Sequence, residues 1–118
     1  MWACFEARDW AGARAQLDDE FECEWPPTDE RFVGADAFIA MNEAYPDIGW
    51  HIEPERFVVA GEEVAALVRV PSDEGVDWCT GFYTLGDGKV WRAVEFWKQR
   101  EEGPPPEWRE PFRASADR

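Results

Sequence analysis

The stretch "VWRAVEFWKQR", residues 90–100, decides how the rest of the chain is read. Alternation places Trp91, Ala93, Glu95 and Trp97 on one face and Val90, Arg92, Val94 and Phe96 on the other, the period of a β-strand. Three more apolar runs of strand length precede it: "DWCTGFYTL" (77–85), "EVAALVRV" (63–70) and "GWHIEPERFVVA" (49–60). The breaks between them, "GDG", "PSDEG" and "GE", carry turn residues, so the runs read as consecutive antiparallel strands. "GDG" at 86–88 is a hairpin turn and not a phosphate cradle, because no helix follows it. Pro54 inside the first run marks a bulge or an edge position.

The first half of the chain has a different period. "WACFEARDWAGARAQLDD" (2–19) spaces Trp2, Phe5, Trp10, Ala13 and Leu17 for one helical face in two pieces, with Asp9 as N-cap of the second. "FECEW" (21–25) alternates again as a short strand, stopped by Pro26-Pro27, and "TDERFVG" (28–34) reads as loop. "ADAFIAMNEAY" (35–45) is a further helix whose shared face carries Phe38, Met41 or Asn42, and Tyr45; Pro46 ends it. In the tail, "EEGPPPEWREPFRASADR" (101–118), prolines rule out regular helix or central strand. That segment is expected to lie across the surface, anchored by Trp108 and Phe112. Helices first and antiparallel strands after them make an α+β domain, its helices laid on one face of a curved sheet.

Bulk properties narrow the function classes. The chain has 118 residues, enough for one domain with a real core, and it is 45% hydrophobic with eight Trp. Its net charge of -14 opposes phosphate backbones and anionic membranes, so neither nucleic acid nor a membrane is an expected partner. Three cysteines without short spacing fit neither a disulfide framework nor a zinc site. No signal-like or bilayer-spanning run is present, and the expected setting is the cytoplasm.

Several segments together resemble the SnoaL-like branch of the nuclear transport factor 2-like superfamily, with its steroid delta-isomerases, limonene-epoxide hydrolases and polyketide cyclases. They are the short helix with "ARDW", the strand ending at Pro26, the "FVGADAFIAMNEAYPD" helix, the strands closing on "GDGKVWRAVEFW" and the tail "PPPEWREP". The resemblance runs from Ala7 to about Phe112. It implies a cone of three helices wrapped by a strongly bent, mostly antiparallel sheet. The wide end would hold an apolar pocket, and homodimers would form through the outer sheet face. It divides the chain into a domain over 1–102 and a Pro-rich tail over 103–118 that packs on the surface or on the dimer partner. Such motifs specify fold better than activity.

Glu95 is the leading site candidate. In the related hydrolases an acid on the last strand points into the pocket and donates a proton, and the Gly-Lys-aliphatic lead-in places Glu95 at that position. A carboxyl between indoles is suited to acid–base work, whereas the same residue on the dimer face would be solvated or ion-paired. Arg69, alone in an apolar strand, needs a partner; it either pairs with Glu95 or snorkels to the rim. The hydrolases carry Arg-x-Asp there, but here the triplet is Arg69-Val70-Pro71, without the Asp. The isomerases' acids correspond to Trp25 and Thr80, which removes dienolate chemistry of that pattern. Thr80 is nonetheless the preferred orienting hydroxyl, ahead of Tyr83, whose strand parity is opposite. His51, the single histidine, is a surface or interface residue unless its face is the pocket, where it would serve as a general base.

Trp25, Phe38, Tyr45, Phe82, Trp91 and Trp97 are the expected pocket walls, with some of them filling core. The ligand such walls suit is a small, mostly apolar molecule, handled without metal or cofactor. A non-catalytic binding or interaction dimer is the alternative reading.

Overall fold

The computed structural model describes residues 1–114, so the last four residues of the 103–118 tail lie outside the described residues. Helices α1 (Trp2–Glu6), α2 (Trp10–Ala15) and α3 (Ala35–Glu43) pack with strands β1 (Leu17–Trp25), β2 (Glu30–Val33), β3 (Glu53–Ala60), β4 (Glu63–Ser72), β5 (Gly75–Gly86) and β6 (Lys89–Lys98). The strands make one unclosed sheet in the order β2-β1-β6-β5-β4-β3. All neighbours are antiparallel except β1 and β6, which run parallel. The α+β class and the cofacial helices follow the sequence pattern.

Local chemistry explains the helix ends. Asp9 caps α2 by accepting from the Gly12 N–H at 2.9 Å. A Cβ at Gly12 would run into that same carboxylate, so the glycine makes room for the cap. Arg8, at φ 58°, ends α1 by donating to the Phe5 and Glu6 carbonyls, and its guanidinium lies 3.2 Å from the Trp50 ring centroid.

Helices and sheet meet in an aromatic core. Phe21 of β1 and Phe38 of α3 have ring centroids 5.0 Å apart, and both are fully buried. Each such ring contributes about 1.5–3 kcal/mol by leaving water. Trp2 and Phe5 of α1 pack edge-on at 5.8 Å and extend this core toward β5 and β6.

Two expectations need correction. "TDERFVG" is not loop: Pro26–Thr28 form a 3-10 turn, Asp29 takes a left-handed φ of 54°, and Glu30–Val33 return as edge strand β2 beside β1. The packing of Phe32 on Trp25, at 4.7 Å, holds that return. In the tail, Glu107–Phe112 form a 3-10 helix, but Trp108 and Phe112 remain 69% and 83% exposed and anchor nothing on this chain. Pro54 meets both of its expected roles, since β3 is a sheet edge and its ladder with β4 slips between Pro54 and Arg56.

The β5–β6 hairpin sets the site. Its loop, Asp87-Gly88, has φ values of 52° and 77°, the two-residue turn matched to strand twist. Pairing begins with Gly86 opposite Lys89 and Leu85 opposite Val90, then skips Trp91 and resumes with Thr84 opposite Arg92. That β-bulge moves every later pair by one residue.

Candidate functional site

The bulge places Glu95 opposite Gly81, where an unbroken ladder would set it opposite Thr80. The inner face of β5 therefore carries Asp77, Cys79, Gly81 and Tyr83, and the inner face of β6 carries Ala93, Glu95 and Trp97. Glu95 is 1% exposed and sits at the deep end of a cavity of about 80 Å³. Trp2, Phe5, Trp25, Phe38 and Trp97 form the apolar walls around it.

Both carboxylate oxygens are held by neutral donors. Oε1 accepts from Trp25 Nε1 at 3.0 Å, Trp97 Nε1 at 3.4 Å and Cys23 Sγ at 3.5 Å. Oε2 accepts from the Tyr83 hydroxyl at 2.6 Å. Indoles can only donate, so the set is complementary to a carboxylate, which can only accept. Trp25 and Trp97 line the cavity whereas Tyr83 does not, so Oε1 is the oxygen on the cavity side and Oε2 is gripped from the core. Burial pushes the Tyr83 hydroxyl and the Cys23 and Cys79 thiols well up from their ordinary values, and the neighbouring Glu95 charge adds to it. These groups stay protonated as donors at neutral pH.

Toward the strand ends polar groups join the lining. Asn42, Tyr45, Ser72, Asp77 and Gln99 line that part beside Ile48, Trp50 and Ile52, and exposure rises to 38% at Tyr45. Asp77 accepts from the Arg100 backbone N–H at 2.6 Å and from its Nη1 at 3.2 Å. The same Nη1 donates to the Tyr45 hydroxyl at 3.0 Å, while Glu74 and Glu101 take Nη2 at 3.1 Å each. One guanidinium thus ties the end of α3 to β5 and to the turn before it.

Of the residues singled out by sequence, Glu95, Trp25, Phe38, Tyr45 and Trp97 come together on this cavity. The others do not. Thr80 and Phe82 are exposed on the opposite sheet face, because the bulge gives the inner face to Gly81 and Tyr83. Arg69 also faces outward, pairing with Glu53 at 2.7 Å and not with Glu95. Trp91, the skipped residue of the bulge, is half exposed and lies against Gly86. His51 is exposed too: its Nδ1 lies 2.8 Å from Glu6 Oε1, while its neighbours Trp50 and Ile52 turn to the cavity.

Tyr83 was set aside on strand parity, and Cys23, Asn42, Gln99 and Arg100 drew no notice as site residues. The available signal for Tyr83 was Gly81 two positions before it, since glycine within a strand marks a close approach. Among the described residues no cluster of three His, Cys, Asp or Glu side chains is arranged to hold a metal. No helix among them is long and apolar enough to cross a membrane.

A family model, the SnoaL-like domain, matches residues 1–93. Among solved structures, a candidate ketosteroid isomerase from Kribbella flavida DSM 17836 is similar at 28% identity and a TM-score of 0.80, covering 98% of this chain and 85% of that one. An LEH-like epoxide hydrolase from M. tuberculosis is similar at 15% identity and a TM-score of 0.69, with 82% and 76% covered. A candidate polyketide cyclase from Sinorhizobium meliloti is similar at 18% identity and a TM-score of 0.68, with 80% and 87% covered. The last two likenesses bear on fold alone. No curated protein matches the chain.

Proposed function

The chain belongs to the SnoaL-like domain family, and from that premise we propose that it binds a small, mostly apolar molecule in the Glu95 cavity and moves a proton on it without a cofactor. The observation that carries this reading is a buried carboxylate lining an apolar cavity with only neutral donors on it, Arg69 being engaged by Glu53 instead. A carboxylate so placed accepts a proton from bound substrate and returns it at a second atom, the chemistry of an isomerase or cyclase. Trp25 and Trp97 orient Oε1 toward the substrate, and Tyr83 fixes the carboxyl from behind. The likeness to the candidate isomerase supports an isomerisation. Glu95 is then the proton carrier, because the family resemblance sets Trp25 where an acid before proline would stand.

A second reading, a binding module without chemistry, is favoured by one observation: Oε1 already accepts from three donors. Deuterium uptake separates the two. In heavy water, the wild-type chain is expected to exchange the α-protons of small apolar ketones, and Glu95→Gln to lose that exchange while keeping ketone affinity within about tenfold, a difference of ~1.4 kcal/mol or less. Equal exchange by both proteins would remove the proton-transfer role.

The same reading includes a homodimer. The outer sheet face groups exposed Phe82 and Phe96 with Val94 and Leu67, and the Arg69–Glu53 and Arg92–Glu24 pairs flank them, an apolar centre with a polar rim. Three free cysteines support a reducing, cytoplasmic setting. The net charge of -14 supports partners other than nucleic acid or anionic membranes.

A further inference from the structure

Glu95 and Trp97 follow one another along the inner face of β6 and Gln99 continues their line just past its end, so the backbone advances roughly 13 Å between Glu95 and Gln99 at about 3.3 Å per residue. The polar groups at the cavity mouth are not equivalent. Asp77 is committed to Arg100. Ser72 Oγ donates to the Gly75 carbonyl and accepts from the Glu74 N–H. The Arg100 charge is itself answered by Asp77, Glu74 and Glu101. What is left open is neutral: Asn42 uses its Nδ2 on the Phe38 carbonyl and keeps its oxygen, the Tyr45 hydroxyl accepts from Arg100 and keeps its proton, and the Gln99 side chain has no hydrogen bond among the described residues.

Resting on the cavity reading above, we infer that the mouth is a recognition site for a neutral polar group, and that the ligand class is a single-ring apolar molecule bearing one amide, carbonyl or hydroxyl. Its ring lies among Trp25, Phe38 and Trp97, and its polar end meets Gln99, Asn42 and Tyr45 as an anchor separate from the carbon that meets Glu95. Gln99 is the specificity-determining residue, because its donors and its acceptor are all uncommitted, whereas Asn42 has spent one N–H on Phe38 and the Tyr45 hydroxyl already accepts from Arg100. Anionic ligands are rejected twice. Glu95 stands at the floor, and three carboxylates around a single guanidinium leave the mouth negative. The small volume favours one ring over a fused system: about 80 Å³ accommodates only several waters, each needing ~10–15 Å³ on this scale.

Three probes of near-equal size test this: toluene, benzamide and benzoate, titrated into the full chain while the indole N–H signals of Trp25 and Trp97 are followed by NMR. Benzamide is expected to bind about fivefold to tenfold tighter than toluene, the worth of roughly one hydrogen bond, and benzoate more weakly than either. Gln99→Leu and Gln99→Ser are each expected to bring the benzamide-to-toluene ratio to about one, and the ratio within one variant cancels any general damage to the cavity. The inference is overturned if benzamide binds no tighter than toluene, if benzoate matches benzamide, or if both Gln99 variants keep the wild-type ratio. Each of those results leaves toluene in the cavity and the cavity reading intact. Binding of none of the three probes would overturn the cavity reading, and this inference with it.

Discussion

The ring of Tyr83 folds back across the backbone of Gly81, so closely that a Cβ at Gly81 would collide with the phenol. This fold-back lets a residue that pairs with Ala93 reach Glu95, which pairs with Gly81. Glycine supplies the slot, tyrosine fills it, and the carboxylate is gripped from the side away from the cavity.

Gly81→Ala is therefore expected to destabilise the fold by about 1–3 kcal/mol, the usual cost of overpacking a core, and to break the bond from Tyr83 to Glu95. Urea unfolding measures the first effect and the near-ultraviolet tyrosine signal the second. A variant as stable as wild type would mean that the ring moves aside without cost.

Tyr83→Phe removes the one donor that Glu95 Oε2 has among the described residues and leaves a buried acceptor atom bare. The expected loss is about 1–3 kcal/mol of stability. Differential denaturation of the two proteins checks it, and a cost below about 0.5 kcal/mol would show that water replaces the hydroxyl.

Thr80→Val is the control for the site. Its side chain lies across the sheet from the cavity, so ligand affinity and any proton exchange should stay within about twofold of wild type. A tenfold fall in either would contradict the register that the bulge imposes.

Phe82→Glu combined with Phe96→Glu tests the proposed dimer. Two charges in the apolar centre of the outer face should give a folded monomer by analytical ultracentrifugation, with circular dichroism unchanged. A dimer that survives both substitutions forms through another surface.

Stability should fall at both ends of the pH range. The thiols of Cys23 and Cys79 and the Tyr83 hydroxyl are pushed up in the fold, chiefly by burial. Their stabilisation is complete below the unfolded thiol value of about 8.5 and is lost as pH rises past it, because the unfolded chain then sheds protons that the fold retains. Glu6 behaves oppositely. Burial pushes its carboxyl up, but the hydrogen bonds from His51 and the Ile52 N–H, with the His51 and Arg8 charges, outweigh this and hold it below its ordinary value. That contribution is present above about pH 4.3 and disappears as pH falls through the folded value. Urea midpoints from pH 3 to 10 would show both limbs, with Glu6→Gln flattening the acid one.

Much of the architecture was legible because its signals are local. Alternation in "VWRAVEFWKQR" marked β6, Asp9 marked the start of α2, and Pro54 marked the irregular edge. Glu95, Trp25, Phe38 and Trp97 were placed together because each keeps the parity or helical face that its own segment dictates. Cross-strand register was the missing quantity. Whether Thr80 or Gly81 faces Glu95 depends on one skipped residue, Trp91, and alternation within either strand is blind to that skip. Arg69 misled for a related reason: the partner it needed, Glu53, stands on a neighbouring edge strand whose own pairing slips at Pro54. The turn that converts "TDERFVG" into β2 hinges on Asp29 in a left-handed conformation, which composition does not announce.

The parallel pairing of β1 with β6 has a consequence for how the chain is made. Cys23 and Trp25 stand 72 and 70 residues from the carboxylate they hold. A ribosome thus releases β1 long before its inner neighbour exists, and the cavity floor cannot close until β6 follows. Contacts so distant in sequence slow folding. Until residue 98 has emerged, β1 has one edge bare to any strand that comes near, including that of another nascent copy.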